Sequence, residues 1–362
     1  QPDAMQEFFL KTHCQPYREQ LSELKARRQS LFRLQDQIQE IMVMRELPLP
    51  RQTFLLSRGL YNKPVTPVAP DTPAALPPFE GLPENRLGLA NWLTDPRHPL
   101  TSRVAVNRIW QMLFGEGLVR TPEDFGSQGE MPTHPLLLDW LAVDLMENGW
   151  DMKRLIRTIV LSRTYRQSSE PRLDGNGNLI DPENRLLGRG PCYRLPAEML
   201  RDSSLAIGGL LVDTLGGPPV KPYELAESFK PNQPEDGPGL YRRSVYTYWR
   251  RTAPAPAMMA LDASRRDVCR VKRERTASPL ASLVLINGTQ FVEAARATAA
   301  RVIQNHPDDV DAAVVELFRL TTSRPPNSRE IQIIKQLYDW QLIYFQQHPD
   351  QRNEFLGTGK FQ

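Results

Sequence analysis

Between Leu240 and Arg275 ten Lys or Arg residues stand against three acids, with aromatic residues threaded among them: YRRSVYTYWRRTAPAPAMMALDASRRDVCRVKRER. A guanidinium presents a planar fork of donors that matches a carboxylate, sulfate or phosphate, and an aromatic face beside it can stack a nucleobase or hold a sugar ring. Tyr246, Tyr248 and Trp249 would supply the faces, and Arg242, Arg243 and Arg250 the charged edges. The whole chain carries only +3, so positive charge is concentrated here while the remainder is acidic. Concentration of this kind points to an anionic partner, either an acidic or sulfated glycan or an acidic protein surface. The competing reading buries the aromatics and pairs the arginines with the acidic remainder.

A second set of polar residues lies on TSRVAVNRIWQMLF, Thr101 to Phe114. Val106, Ile109, Trp110 and Leu113 mark the core face of a helix, and Arg103, Asn107 and Gln111 recur beside it at i, i+4 and i+8. Such a ridge either contacts a ligand or stitches neighbouring loops to the helix. Proton transfer could come from His134 with Asp124 or Glu198. His98 and His134 each precede a proline at the start of a helical pattern, so capping or entry-turn roles compete with chemistry. In RLPAEMLRDSS, Glu198 and Asp202 stand at i, i+4, but Glu198 and Arg201 could equally form an ion pair. Arg194, just ahead of that helix, is placed to reach another element.

Several classes are disfavoured. Cys14, Cys192 and Cys269 lie far apart without CxxC spacing, and no HxH or HExxH occurs, so no metal ligand set is assigned. GxSxG, the P-loop and GxGxxG are missing. A pI near 8.7 with no recognisable nucleic-acid module makes nucleic acid the weaker partner. No run approaches the ~20 apolar residues of a membrane span.

The elements that must position these residues are mostly helices. Tyr17 to Glu46 lacks Gly and Pro, and Leu24, Leu31 and Ile38 recur every seven residues, which predicts a long amphipathic helix needing a packing partner. Gln52 to Gly59 reads as a short strand, followed by a connector from Lys63 to Pro83 that is rich in proline. Helices are predicted over Asn85–Thr94, Thr101–Phe114, Pro135–Asn148, Met152–Ser162, Pro196–Gly208, Pro279–Ile286, Thr289–Asn305, Asp309–Thr321 and Ser328–Gln347. Arg172 to Arg189 and Leu215 to Gly239 read as loops. Alternation over Tyr241 to Arg251 predicts a strand. The expected fold is mainly α: a helical arm over residues 1–50, a Pro-rich connector over 51–84, and a helical domain over 85–362 with a small β element.

The run NRLGLANWLTDPRHPLTSRVAVNRIWQMLFGEGLVRTPEDFGSQGEMPTHPLLLDWLA resembles the planctomycete-type PSD domain, domain of unknown function 1553. RLPAEMLRDSSLAIGG, YRRSVYTYWRR, ALDASRRDVC, RERTASPLASLVLINGTQFVEAAR and LFRLTTSRPP are similar to later blocks of that family, in the same order. The resemblance implies a piece of a large exported polypeptide, hence an extracytoplasmic setting, in company with polysaccharide-degrading enzymes. It implies a helical companion domain as partner and, on an upstream domain, a haem c site; this chain itself carries no cofactor motif. The family supplies no catalytic residues. Its polar motif positions include, beyond those already named, Arg108, Asp139, Arg163, Tyr165, Asp262 and Asn287. Their mixture of Arg and carboxylate fits either a polar cleft for an anionic glycan or a dense internal network of a non-catalytic scaffold.

Overall fold

The computed structural model describes residues 2–38, 41–49, 51–223, 234–250 and 254–361. Among them are fourteen α-helices and one two-stranded sheet, so the chain is mainly α-helical with a small β element. It divides into two compact units, Gln1–Asp95 and Pro96–Gln362.

In the first unit, α1 (Pro2–Thr12) and α2 (Gln15–Asp36) precede the antiparallel pair β1 (Thr53–Leu56) and β2 (Pro64–Val68), and α3 (Arg86–Leu93) closes it. Thr53 lies opposite Val68 and Leu55 opposite Thr66, with a register shift between Leu55 and Leu56. The connecting turn uses the left-handed region at Arg58 (φ 50°) and Gly59 (φ 72°). The helix expected over Tyr17 to Glu46 ends instead at Asp36, and residues 41–47 have no regular structure; Gln39 and Glu40 lie outside the described residues. No residue of α2 is buried, so no packing carries the helix on toward Pro48, before which the backbone favours an extended form. At α3 the Asn85 side chain accepts from Gly88 N, and Trp92 buries its ring while donating Nε1–H to Pro77 O.

The second unit is built on α4 (Thr101–Phe114), α5 (Pro135–Glu147), α6 (Met152–Leu161), α7 (Arg163–Arg166), α8 (Ala197–Ile207), α9 (Pro256–Ala260), α10 (Pro279–Asn287), α11 (Thr289–Asn305), α12 (Val310–Thr322), α13 (Ser328–Gln347) and α14 (Pro349–Leu356). Several start where the sequence offers a cap: Asp151, Ser162, Ser278 and Asp309 each accept a backbone N–H of the first turn, and Asn327 and Glu330 form a reciprocal capping box. One core joins Val106, Ile109 and Trp110 of α4 to Leu138, Leu141 and Leu145 of α5 and Leu155 and Ile159 of α6. Each of these aliphatic side chains contributes about 1.5–3 kcal/mol on burial. The other core gathers Ala197, Met258, Leu261, Val284 and Phe291. Small residues let α8 approach α11 closely: a Cβ on Gly208 would lie 2.9 Å from Ala294 O.

The strand expected at Tyr241 to Arg251 does not form. The described part holds 3-10 turns at Gly237–Tyr241 and Ser244–Tyr246, with single parallel bridges from Val212 to Arg242 and from Val220 to Thr247; Arg251 lies outside the described residues, as do residues 224–233 of the preceding connection. The turn at Ser244 switches the buried face from Leu240, Arg242 and Ser244 to Thr247, so a period of two cannot run through.

Candidate functional site

The arginines singled out by the sequence are engaged by partners within the chain, some buried and some at the surface. Arg201 of α8, only 1% exposed, donates to Leu240 O (2.7 Å), Arg242 O (2.8 Å), Ser244 Oγ (3.2 Å) and Gln290 Oε1 (2.6 Å). Asp202 accepts from Ser244 N (2.8 Å) and Ser244 Oγ (2.6 Å). Burial pushes Arg201 down to about 10, with Asp202 opposing, so it stays a cation at neutral pH. Arg242 is also buried; it donates to Thr214 O, Gly216 O and Pro218 O and lies 4.0 Å from the Tyr246 ring, while the Tyr246 hydroxyl accepts from Gly216 N. Together they hold the 214–218 turn. Arg243 pairs with Asp213 at 2.8 Å, Arg194 with Asp262, and Arg103 with Asp139 at 2.7 Å and Pro99 O at 2.5 Å. Trp249 donates to Arg265 O, and the Arg266 guanidinium lies 4.7 Å from its ring; Arg250 is half-buried and likewise engaged.

The three residues considered for proton transfer each have a different local partner. His134 is the N-cap residue of α5 with Nδ1 3.0 Å from Thr133 Oγ1, Asp124 Oδ1 accepts from Gly126 N at 2.7 Å, and Glu198 is paired with Arg273 at 2.6 Å. His98 holds the entry to α4, its Nδ1 accepting from Leu100 N and Thr101 N. No group of three or more His, Cys, Asp or Glu among the described residues is placed to share a metal ion, and all three cysteines are free thiols.

A different place gathers the features of a binding site. A cleft of about 490 Å³ opens at the C-terminal end of α4, between Trp110 and Phe114, the 115–118 turn, the 169–193 loop and Arg275. Asn107, wholly buried, sets its floor from behind: Nδ2 donates to Val119 O and Oδ1 accepts from Val119 N, both at 2.9 Å. Gly117 fits beneath because a Cβ there would lie 2.4 Å from Val119 O and 2.8 Å from the Asn107 amide. Gly115, at φ 88°, plays the same part for the wall; a Cβ would meet Tyr193 at 2.9 Å and Arg275 at 3.0 Å. Tyr193 donates to Met112 O at 2.5 Å, satisfying a carbonyl at the helix end, and burial pushes its phenol up. Arg275 lies 4.4 Å from the Tyr193 ring and donates to Gly115 O, where a cation also complements the helix dipole.

Four guanidiniums line this cleft: Arg120, Arg185, Arg189 and Arg275. Arg120 is paired with Glu183 at 2.5 Å, and Arg185 is held loosely between Glu130 at 3.6 Å and Glu183 at 4.0 Å. Arg189 donates to the carbonyls of Ile180, Asp181 and Pro182. Neither Arg189 nor Arg275 has a carboxylate partner among the described residues. Phe114, Leu179, Leu187 and Pro191 supply apolar wall, and Trp110 stacks on Phe114 at 4.0 Å.

The comparison with known families bears on the residues that build both features. A family model, PSD1, described as a protein of unknown function (DUF1553), matches residues 85–338. The chain belongs to this family. No curated protein and no solved structure matches it. The matched part of the PSD1 domain contains the whole cleft lining and all eleven residues proposed from the sequence: His134, Asp124, Glu198, Arg103, Asn107, Arg194, Arg242, Arg243, Tyr246, Trp249 and Arg250. None of those eleven lines the cleft. The residues that do line it were overlooked because Arg120, Arg185 and Arg189 sit in irregular chain, where no periodicity marks a shared face. The one available signal was GEG at residues 115–117, two glycines directly after a helix, which announces close approach of another segment.

Proposed function

We propose that the PSD1 domain is a binding module for an acidic or sulfated polysaccharide in an extracytoplasmic setting, with the ligand seated in the cleft at the end of α4. The observation that carries the reading is the pair Arg189 and Arg275, which line an apolar-walled cleft while no described carboxylate neutralises them. A sulfate or uronate would complete their electrostatics, and the faces of Phe114 and the prolines would take the sugar ring. Glycoside hydrolysis needs two carboxylates free to act as acid and base or nucleophile, whereas Glu116 is tied to Lys272 at 2.9 Å and Glu183 to Arg120. That favours binding over hydrolysis. The test is retention on sulfated against neutral glycan columns across a salt series: retention on the sulfated column alone, released by salt, is expected, and equal retention on both removes the reading.

A second reading, a scaffold docking a haem domain or cell-surface partner, is favoured by α13, where Ile333, Leu337 and Trp340 are 55%, 54% and 61% exposed on one face. Trp340→Lys would then abolish docking and leave glycan retention unchanged.

A further inference from the structure

A strongly basic exposed stretch of the molecule is the loop between Asp262 and Thr276. One carboxylate joins its two ends: Asp262 accepts from Thr276 N (2.7 Å), from Thr276 Oγ1 (2.9 Å) and from Arg194. Burial pushes the Asp262 carboxyl up, but the hydrogen bonds from Thr276 and Arg194 outweigh it and hold the group below the ordinary carboxylate range. Asp262 itself sits in the left-handed region at φ 62°, a conformation a non-glycine residue keeps only when its surroundings enforce it. Closure of an irregular segment at its base makes this an Ω-type loop.

The loop is also pinned along its length. Trp249 donates to Arg265 O and stacks under Arg266, Lys272 pairs with Glu116, Arg273 pairs with Glu198, and Arg275 donates to Gly115 O. Two limbs are therefore fixed before any ligand arrives, which lowers the ordering cost of binding. Residues 263–275 hold six cations and two acids, and 265–270 and 272–275 are exposed. Arg265 and Arg266 have no carboxylate partner among the described residues; Arg270 is paired only with Glu274, an exposed i, i+4 pair of little worth. Arg275 belongs both to the loop and to the lining of the cleft.

We infer that this loop prolongs the cleft into an extended site for a linear polyanionic glycan, the cleft taking one acidic sugar and Arg265, Arg266 and Arg270 following the charges beyond it. The inference rests on the binding function proposed above and deepens it: the ligand is a chain of repeated anionic groups, since a lone sulfated sugar would leave the loop cations unused.

The experiment uses the full chain and sulfated oligosaccharides of defined length, from disaccharide to octasaccharide, in calorimetric titration at fixed low salt. With three added charge contacts of exposed type, affinity should rise by about tenfold or more from the shortest to the longest ligand. The double variant Arg265→Gln, Arg270→Gln should remove most of that gain while leaving disaccharide affinity unchanged, because the fold uses only the backbone carbonyl of Arg265 and holds Arg270 only through an exposed pair with Glu274. Arg185→Gln, in the cleft, should weaken every length alike. A length-independent affinity, or a double variant that binds the octasaccharide like the parent, overturns the extended site and leaves the cleft standing. Absence of binding at every length overturns both.

Discussion

The basic cluster has two arginine-rich limbs of opposite fate. In the limb from Leu240 to Arg250, Arg242 turns inward and Arg250 is half-buried, while Arg243 stays at the surface paired with Asp213; over Arg265 to Arg275 the arginines face water. The difference lies in how each backbone satisfies itself. The first limb has 3-10 turns and isolated bridges rather than a ladder, so its carbonyls at Leu240 and Arg242, with those of the 214–218 turn, need donors from elsewhere. Arg201 and Arg242, each with five N–H groups, provide them. The second limb is fastened by Asp262 at its base and by Trp249 and two ion pairs along it, which leaves Arg265, Arg266 and Arg275 without a carboxylate to neutralise them. A guanidinium is thus available to a ligand according to how many orphan acceptors the fold leaves around it, which its place in a charge run does not disclose.

The contrast breaks first, and most severely, at Arg201. Arg201→Met strips donors from two buried carbonyls and leaves Gln290 and Asp202 facing an apolar chain, so a loss of about 3–5 kcal/mol is expected from urea unfolding. A loss below about 1 kcal/mol would show that the inward limb is no better satisfied than the outward one. Asn107→Ala comes next: it uncouples Val119 from α4, should cost about 2–3 kcal/mol by the same measurement, and should loosen the cleft floor enough to weaken glycan retention. Arg275→Gln sharpens the comparison from the other side. Its unfolding free energy should stay within about 1 kcal/mol of the parent, since one carbonyl bond and one aromatic contact are lost. Affinity for a sulfated oligosaccharide should fall about tenfold at low salt.

Much of the helical framework was legible in the residues. Thr101–Phe114, Thr289–Asn305 and Ser328–Gln347 have the bounds that Pro, Gly and cap residues suggest, and the apolar face of α4 is the one its 3.6 spacing marks. Local chemistry suffices there because period and caps agree. It failed at Tyr241 to Arg250, where alternation of aromatic and basic residues imitates a strand but the acceptors for Arg201 require a broken backbone. It failed also at α2, whose heptad spacing runs past Asp36 although no packing supports the extension. The ridge of Arg103 and Asn107 was visible, and its duty is the stitching of loops to a helix. The cleft stayed hidden because Arg189 and Arg275 meet only through tertiary structure, the first from a loop anchored on its own carbonyls and the second from a loop closed by Asp262.

A third kind of arginine gives the smallest effect and the finest test. Arg324 is exposed yet grips Glu330 through two bonds, at 2.9 and 2.7 Å, and Glu330 also accepts from Asn327 N at 2.8 Å in the box that starts α13. The Arg324 hydrogen bonds, then that of Asn327, hold the Glu330 carboxyl down at about 2 against a usual 4.5. For a depressed carboxylate the unfolded chain binds the proton more readily, so its stabilising contribution is complete above pH 4.5 and fades as pH falls through 2. Arg324→Gln should move the Glu330 titration, followed by carboxyl-carbon NMR, up toward the ordinary value. By the same linkage the variant should lose a little stability at neutral pH, a small loss because the pair is open to water, and the difference from the parent should vanish in acid. A Glu330 titration that stays low in the variant would assign the shift to the helix start, and exposed arginines here would then have to be ranked by backbone geometry alone.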